Sequence, residues 1–583
     1  MKRTIALILA LVMTMALVAC GGDKPTTSTP GTTPSEPSKP ASSGGVTLEQ
    51  IETPKDAETE DEEKARYGGN LIIGSSNATN TMDVHQTNGA LGNTRYLSHI
   101  YENTCLRDVN GKIYGQVCDY EESADGLTIK LTLRERYFSN GKKITIEDVE
   151  ASLRRAIGLA TSANYDKNWK DATMTVEGNT ITFKNSTLNL NFLNALCGSQ
   201  GDYKIMPKEI CDKYPVTGGE VQPNGLIRGG TAEMIGVEAD VIGSGPYKLT
   251  KYTTEEIILT RNENYVPHTV GNEDALGVAA PVKAYVDTIT LSYNPDASSR
   301  TAAMIAGEYH VSDIQAAMWE TALAQGIKLN DAGTAWTHGI FFNLDESNSD
   351  SPVYNVNVRK AIRAAIDCKA VLMAVTGGRQ ERVLFLEPTP IVSTSVYHNT
   401  IIADNEWNIA NVELAKEYLK KANYDGTPIK YLTNATGNFY NATMAVIPML
   451  EAAGMKVELM AVDGGSHGAL RKDPATGHDI GVWETQKNEI NPVLQSTMVT
   501  GSQGWWKSDA KDAAIAAMKA APTGSPESIK AYEDWCQAVV DEVPFVLFGH
   551  PMGTIWAQPG VYINHVGQTT YYWNYYMDAE ARK

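Results

Sequence analysis

Cysteine and basic residues are scarce in this sequence. Seven cysteines in 583 residues are too few for a scaffold stapled by disulfides, so the chain must fold around ordinary apolar cores. Only 50 lysines and arginines stand against 69 acidic residues, which gives a formal net charge of -19. This balance excludes a nucleic-acid-binding protein, because that class needs a basic face to displace counterions from phosphates. The one apolar run that approaches membrane-spanning length lies at the N-terminus, which excludes a multi-pass permease.

Signatures of catalysis are also missing. The sequence has no C-x-x-C, no H-E-x-x-H and no Walker motif, and its ten histidines lack ligand spacing. It therefore predicts no metal, no cofactor and no ATP hydrolysis on this chain. One stretch, Gly464–Gly468, matches the G-x-S-x-G form of a serine hydrolase after a strand-like run. Asp473 and Pro474 break the chain soon afterwards, which favours a flexible glycine loop; a secreted hydrolase using Ser466 is the weaker alternative.

The N-terminus has the build of a secretory signal. A charged start precedes an apolar stretch from Ile5 to Ala19. The sequence Leu-Val-Ala-Cys that ends at Cys20 looks like a bacterial lipobox, in which the thiol becomes a thioether to diacylglycerol. Residues 1–19 are thus predicted to be a signal peptide, and lipidated Cys20 to anchor the protein to the cell membrane on its extracytoplasmic side. A cleaved signal with an incidental cysteine is the alternative.

Residues 20–66 are predicted to be the lipidated cysteine and a disordered tether. Ser, Thr, Pro and Gly dominate residues 23–45, and an acidic run follows from Glu58 to Glu63. Neither piece can bury apolar surface, so both are expected to stay extended and solvated.

From residue 67 onward, strand and helix signals are mixed. A short apolar run covers 70–74, and apolar residues recur at period two over 127–133, which is typical of a half-buried strand. Thr145 followed by Asp148 has the spacing of a capping box, and an apolar stripe at helical spacing follows it. A second stripe runs over 358–366. The mixture predicts an α/β fold class.

Five stretches occur in the order found in one known family. They run from Asp125 to Val149, Gly243 to Leu249, Leu259 to Tyr265, Phe342 to Asp367 and Leu414 to Tyr424. Together they resemble the signatures of the family 5 extracellular solute-binding proteins, the oligopeptide- and dipeptide-binding lipoproteins of ABC importers. The resemblance covers the chain from about Tyr67 to beyond Lys507.

The resemblance implies a two-lobe, periplasmic-binding-protein-like clamp of type II with an extra subdomain in the first lobe. The implied first lobe covers residues 67–298, with the insert at about 110–240. It also includes the C-terminal residues 508–583. Residues 299–507 form the implied second lobe. Ligand contacts to both lobes exist only in the closed clamp, so a ligand shifts the population toward closure.

The leading hypothesis is a lipid-anchored substrate-binding protein, not an enzyme, that captures a solute and delivers it to ABC permease subunits. A peptide is the first choice of ligand, and the protein is expected to be a monomer. A receptor subunit that uses the same clamp to report a ligand without transport is an open alternative.

The resemblance also points to pocket residues. In peptide-binding members a tryptophan precedes an aspartate-rich turn, and an aspartate of that turn neutralises the amino group of the peptide. The matching stretch here contains Trp483 but has Asn488 and Asn491 in place of the aspartates. A buried ammonium without a carboxylate would be costly, so either Glu484 or Glu489 takes that role or the ligand is not an ordinary free-amine peptide.

Other ligand-binding candidates depend on position and context alone. They are Ser76 and Asn77 after the first strand, Asn438, Phe439 and Tyr440 in a predicted loop, and Trp505 and Trp506. The tryptophan pair follows a Gly-Ser-Gln-Gly stretch, which predicts a loop with partial exposure of the rings. Core burial of Trp483 and an ordinary surface loop at 438–440 are the competing interpretations.

Six cysteines lie beyond the signal region. Disulfides are permitted outside the membrane, and the short spacings allow loops that join Cys105 to Cys118 and Cys197 to Cys211. Cys368 follows an apolar helical stripe and is expected to be buried and inert.

Overall fold

The computed structural model describes residues 57–583 with gaps. The positions that it leaves undescribed in this range are 58, 77–80, 88–90, 108–111, 190–191, 193–194, 198–202, 268–280, 332–335, 379–382, 386–387, 390, 392–394, 436, 487–491, 495–498, 500, 502–503, 552–553 and 564–571. Cys20, the signal peptide and most of the predicted tether therefore lie outside the described residues. Within the described residues, no helix combines the length and the apolar character that crossing a bilayer requires.

Helices and strands are mixed along the chain, in agreement with the predicted α/β class. The helices are α1 (Glu60–Ala65), α2 (Leu91–Ile100), α3 (Ile146–Leu159), α4 (Ser162–Asn168), α5 (Lys208–Lys213), α6 (Ala297–Ile305), α7 (Trp319–Ala324), α8 (Val356–Ala365), α9 (Cys368–Val375), α10 (Val412–Ala422), α11 (Gly437–Ala452), α12 (Gly464–Leu470), α13 (Asp509–Ala520) and α14 (Pro526–Glu542). The strands are β1 (Asn70–Ser75), β2 (Cys105–Arg107), β3 (Ile113–Gly115), β4 (Cys118–Glu122), β5 (Thr128–Leu133), β6 (Ala172–Glu177), β7 (Thr180–Asn185), β8 (Glu220–Val221), β9 (Ile227–Arg228), β10 (Tyr247–Tyr252), β11 (Glu256–Arg261), β12 (Thr288–Tyr293), β13 (Val311–Ser312), β14 (Lys328–Asp331), β15 (Trp336–Phe342), β16 (Val383–Phe385), β17 (Ile429–Asn434), β18 (Val457–Val462), β19 (Ile480–Gln486), β20 (Phe545–Pro551), β21 (Thr554–Ala557), β22 (Val561–Tyr562) and β23 (Tyr576–Met577).

A seven-stranded sheet is built around β1, in the order β10-β11-β12-β1-β13-β21-β14. β1 pairs in parallel with β12 and β13, whereas β21 runs antiparallel to both β13 and β14. Leu71 and Ile73 of β1 are buried in an apolar core with Ile289 of β12. The short apolar run predicted at 70–74 is therefore confirmed as a central strand, because a strand paired on both sides can bury its side chains.

A six-stranded sheet has the order β16-β20-β15-β19-β17-β18. β17 pairs in parallel with β18 and β19, and β15 is antiparallel to β19 and β20. The apolar stripe of α8 lies in the core beside this sheet, as its spacing predicts. Arg359 on the same helix is buried and donates hydrogen bonds to the carbonyl oxygens of Val353 and Glu542, at 2.8 and 2.6 Å. Its guanidinium thus satisfies two backbone carbonyl groups, one of them at the C-terminal end of α14.

A smaller antiparallel sheet, β4-β5-β7-β6, packs against α3 around a separate apolar core. The capping box of α3 is present: Thr145 and Asp148 each bond the backbone N–H of the other. The sheet and helix fall within the stretch 110–240 that the resemblance marks as an insert.

Two connections join the large sheets: β14 leads into β15, and β20 leads back into β21. The chain therefore passes between the two sheets at 331–336 and 551–554. The lobe limits that the resemblance implies, 298/299 and 507/508, stay a prediction. β13 and β14 pair within the seven-stranded sheet, and α13 and α14 pack into the core beside the six-stranded sheet.

The end of the predicted tether is folded. Thr59 caps α1, and the acidic residues of the first turn lie where the helix dipole favours negative charge. Glu63 accepts a hydrogen bond from the hydroxyl of Tyr285 at 3.1 Å, and its carboxylate lies 2.7 Å from Nζ of Lys283. The expectation of extended chain is wrong at 60–65, because Glu63 finds a basic partner on the folded body.

Candidate functional site

The carboxyl ends of β17, β18, β19 and β20 meet at one edge of the six-stranded sheet, because these strands run in the same direction and β15 runs against them. β15 begins at this edge, so both connections to the other sheet lie there. In the seven-stranded sheet, β1, β12, β13 and β14 likewise end at the edge where the connections leave. The carboxyl ends of strands from both sheets thus lie beside the same two connections. In open α/β sheets, ligands bind in the crevice outside such strand ends.

Trp483 on β19 is the centre of an aromatic cluster at this edge. Its ring lies 5.2 Å from that of Phe439 and 5.8 Å from that of His467, measured between centroids. The guanidinium carbon of Arg471 lies 3.3 Å from the centre of the indole. Phe439 comes from the first turn of α11 and His467 from α12, the helices that follow β17 and β18. The cluster therefore joins the ends of three neighbouring strands.

Glu484 follows Trp483 and stands opposite His338 in the β15–β19 ladder. Oε2 of Glu484 lies 3.4 Å from Nε2 of His338. Burial raises the pKa of Glu484 to about 7, although the charge of Arg471 acts in the opposite direction. Burial lowers the pKa of His338 to about 4, so this imidazole is neutral at pH 7. The site consequently holds a carboxyl group that lacks a charged partner on the neighbouring strand.

A small cavity extends from Trp483 along β15 and β19 and reaches Trp505. The ring of Trp505 lies 6.0 Å from that of His478. Trp505 adopts a left-handed backbone conformation, with φ of 54°, directly after Gly504. A Cβ on Gly504 would lie 2.7 Å from the carbonyl oxygen of Phe342, so only glycine allows this close approach. The approach positions Trp505 at the cavity.

Several predicted residues lie together. Trp483 and Phe439 share the strand-end cluster, and Trp505 shares the cavity with Trp483. Glu484 is the next residue along β19, and the charge of Arg471 acts on its carboxyl group. Asn438 and Tyr440 flank Phe439, but all three belong to the first turn of α11 rather than to the predicted loop. Trp483 is partly buried and packs against the apolar core beside the six-stranded sheet.

Trp506 does not belong to the site. Its side chain is buried, its Nε1 donates a hydrogen bond to Glu542 at 2.6 Å, and its ring packs 6.2 Å from that of Trp535. The predicted partial exposure of both rings is therefore wrong for Trp506. The positive φ of Trp505 sends the two rings in different directions.

Ser76 is exposed just beyond β1, at the edge of the seven-stranded sheet that carries the connections. Asn77, Asn488 and Glu489 lie outside the described residues. Sequence reasoning did not find His338, His467 and Arg471 as site residues, although His467 and Arg471 follow β18 closely. The available signal was that residues just after parallel strands meet at one sheet edge.

Ser466 is part of α12, not of the glycine loop that the sequence favours. Asp463 caps this helix and accepts hydrogen bonds from the backbone N–H groups of Gly465 and Ser466, both at 3.0 Å. The hydroxyl of Ser466 also donates to Asp463. These bonds lower the pKa of Asp463, which makes it a poor base for activating the hydroxyl. Within the described residues, no cluster of three or more His, Cys, Asp or Glu is suited to a metal ion.

Two α/β bodies joined by paired connections, with strand ends gathered beside them, define the class of periplasmic-binding-type proteins that close around a ligand. Residues 112–507 match the family described as bacterial extracellular solute-binding proteins, family 5. The chain belongs to this family, whose members are extracytoplasmic binding proteins.

Relatives agree with this assignment. The chain is 21% identical to the oligopeptide-binding protein AppA of Bacillus subtilis over 511 residues, which cover 84% of this chain and 87% of AppA. It resembles the structure of the binding protein DppA of Helicobacter pylori in complex with the peptide STSA, with a TM-score of 0.66, 19% identity, and coverage of 89% and 100%. It also resembles NikA of Brucella suis in complex with Fe(III)-EDTA, with a TM-score of 0.68, 18% identity, and coverage of 86% and 98%. The fold alone is thus compatible with ligands of different chemistry.

Proposed function

We propose that this protein is a lipid-anchored extracytoplasmic binding protein that encloses a peptide between the facing edges of the two large sheets and delivers it to an ABC permease. The observation that carries the proposal is the position of Trp483 and Glu484 at the strand ends beside both connections. Each lobe is then built around one of the two large sheets, and the chain passes from one lobe to the other at 331–336 and 551–554. Closure about these connections brings contacts from both lobes to one ligand.

The chemistry of the site supports a ligand with a free amino group. Burial holds the pKa of Glu484 near 7, because the charged carboxylate is poorly solvated there. A ligand ammonium beside this carboxylate would stabilise its charged form. The partly buried rings of Trp483 and Phe439 supply apolar surface at the same strand ends. Glu489 is the competing carboxylate, so Glu484→Gln and Glu489→Gln form a matched pair that separates the two roles.

The protein binds its ligand without turning it over. Asp463 is exposed, caps α12 and accepts a hydrogen bond from the Ser466 hydroxyl, so this serine is part of the N-terminal cap of the helix. Peptide recovered unchanged after long incubation, with wild type and Ser466→Ala alike, supports binding alone. Cleavage that Ser466→Ala abolishes would establish a hydrolase.

The ligand is tested by native mass spectrometry of the full-length protein, as purified and after incubation with a synthetic mixture of tri- to pentapeptides. We expect peptide masses on wild type and on the control Tyr354→Ala, whose ring is exposed outside the site. Trp483→Ala should lose most of the bound fraction, because stacking and apolar contact at such positions contribute about 1–3 kcal/mol. A co-purified sugar or metal chelate that peptides fail to displace would refute the peptide assignment.

Anchoring and delivery are tested in cells. Wild type should take up an alkyne-labelled fatty acid and enter the detergent phase, and Cys20→Ser should do neither. Deletion of the cognate permease should stop uptake of a labelled peptide while binding by the purified protein persists. Unchanged uptake in that strain would favour the ligand-sensing alternative.

A further inference from the structure

The sulfur atoms of Cys105 and Cys197 lie 3.2 Å apart although the residues are 92 positions apart in sequence. Both side chains are buried. A disulfide bond measures about 2.05 Å, so the sulfurs need to approach by only about 1.2 Å. All six cysteines from Cys105 to Cys536 are thiols in the structure. Cys105 lies beside Cys197, a pairing that differs from both of the short loops that the spacing allows.

The backbones around the two cysteines are held in place independently of the sulfurs. The hydroxyl of Thr104 donates to the carbonyl oxygen of Leu196 at 3.1 Å, and Nδ2 of Asn103 donates to that of Cys197 at 3.4 Å. The carbonyl oxygen of Thr104 accepts a hydrogen bond from the backbone N–H of Cys118 at 2.9 Å. The first two bonds hold the Cys105 and Cys197 segments beside each other, which keeps the two sulfur atoms close.

We propose that Cys105 and Cys197 form a disulfide bond in the exported protein. The oxidant is a disulfide-bearing thiol–disulfide oxidoreductase or small-molecule disulfide, which acts during folding before the cysteines are buried. The Cys197 thiolate attacks one sulfur of the oxidant and releases the other as a thiolate. Cys105 then loses its proton and attacks Sγ of Cys197 in the mixed disulfide, which releases the second oxidant thiolate. Two protein thiols are oxidised and one oxidant disulfide is reduced to two thiols.

In the folded thiol form, the two cysteines differ in acidity. The hydrogen bond with Cys105 and the charge of Arg107 lower the pKa of Cys197. The same hydrogen bond, together with burial, raises the pKa of Cys105. These shifts belong to the buried pair, so they do not decide which thiol attacks first before burial, and attack by Cys105 first gives the same disulfide.

The bond would close a loop that contains the whole of the β4-β5-β7-β6 sheet and α3. The chain enters this subdomain through β2, where Cys105 lies, and Cys197 follows its last strand, β7. A bond between Cys105, where the chain enters the subdomain, and Cys197, after its last strand, restricts the unfolded loop. It therefore stabilises the subdomain against local opening. The effect is structural and independent of the ligand.

Peptide mapping of the full-length protein, exported with its own leader, tests the proposal. Free thiols are blocked with N-ethylmaleimide in denaturant, and trypsin is used without reductant. Trypsin releases Cys105 in peptide 96–107, Cys197 in peptide 185–204 and Cys118 in peptide 113–130. We expect 96–107 and 185–204 as one species, two hydrogen masses below their sum, which reductant separates. Recovery of both peptides as maleimide adducts, or a link from either peptide to 113–130, overturns the proposal.

Thermal unfolding gives a second test. Reductant should lower the Tm of wild type by about 5 °C and should leave that of Cys105→Ser unchanged. The control Cys118→Ser removes an adjacent buried thiol and should retain the reductant-dependent shift. If Cys105→Ser does not fold, the wild-type peptide map still decides. A wild-type Tm that is insensitive to reductant, together with free thiols in the map, contradicts the bond.

Discussion

Nε2 of His338 and Oε2 of Glu484 lie 3.4 Å apart on directly opposite residues of two antiparallel strands. The distance is that of an ion pair, but burial keeps the imidazole neutral, with a pKa of about 4, and raises the pKa of the carboxyl to about 7. Neither group therefore supplies a full charge to the other at pH 7. Under the proposed function, a ligand ammonium beside Glu484 would stabilise its charged form.

Replacing Glu484 should change how stability depends on pH. Between the ordinary pKa of 4.5 and the folded value of about 7, the folded protein binds more protons at Glu484 than the unfolded chain does, so the free energy of unfolding falls as pH rises. Glu484→Gln should match wild type near pH 4 and exceed it at pH 8 by up to about 3 kcal/mol. Urea unfolding at both pH values measures this. Glu458→Gln, exposed on β18, is the control and should shift stability by less than about 0.5 kcal/mol.

Affinity for a free-amine peptide should rise with pH. The ammonium needs the charged form of Glu484, so the affinity should increase up to about tenfold per pH unit below 7 and level off above it. Calorimetric titrations of a peptide found by native mass spectrometry, from pH 5.5 to 8.5, measure the slope. The N-acetylated form of the same peptide should bind weakly and without this slope. An equal slope for both forms would show that Glu484 does not bind the amino group.

The local part of the site follows from the sequence, and the long-range part does not. Trp483 and Glu484 are adjacent and lie in a family motif, so they could be found from the sequence. His338 reaches Glu484 only through the register of β15 against β19, which no local pattern specifies. Trp505 and Trp506 share one loop-like stretch, yet a single backbone angle sends one ring to the cavity and the other into the core.

The fold shows the same division. Period-two and helical spacings identify β5, α3 and α8, because each pattern records one buried face. The points at which the chain passes from one sheet to the other cannot be identified from such patterns. They depend on pairing between strands that are far apart in sequence, such as β14 and β21. The lobe limits that the resemblance implies, 298/299 and 507/508, are not set by such pairings.

Removing the charge of Arg471 should move the pH dependence of binding upward. This charge acts to lower the pKa of Glu484, so Arg471→Gln should raise that pKa further and shift the midpoint of the affinity curve to higher pH. The same titrations with the free-amine peptide measure the midpoint. The adjacent Lys472 is exposed, and Lys472→Gln should leave the midpoint unchanged. Equal midpoints for wild type and Arg471→Gln would place Arg471 outside the electrostatics of the site.

Arg155 forms a buried ion pair that should dominate the stability of α3. Its guanidinium donates to both carboxylate oxygens of Asp83, at 2.9 and 2.6 Å, and both side chains are almost fully buried. Burial alone would raise the pKa of Asp83, but the bonds and charge of Arg155 outweigh it and lower the pKa. Arg155→Met leaves an uncompensated buried carboxylate and should cost about 3–5 kcal/mol in urea unfolding at pH 7.

The neighbouring Arg154 provides the matched control. It pairs with Glu150 one turn away at 2.8 Å, but both side chains are partly exposed, so water competes for the charges. Arg154→Met should therefore cost less than about 1 kcal/mol. Without Arg155, burial raises the pKa of Asp83, so the carboxylate of Arg155→Met takes up a proton as the pH falls, and the difference in stability from wild type should shrink in acid. Equal losses for the two arginine variants at pH 7 would show that burial of the Asp83–Arg155 pair is not what sets its contribution.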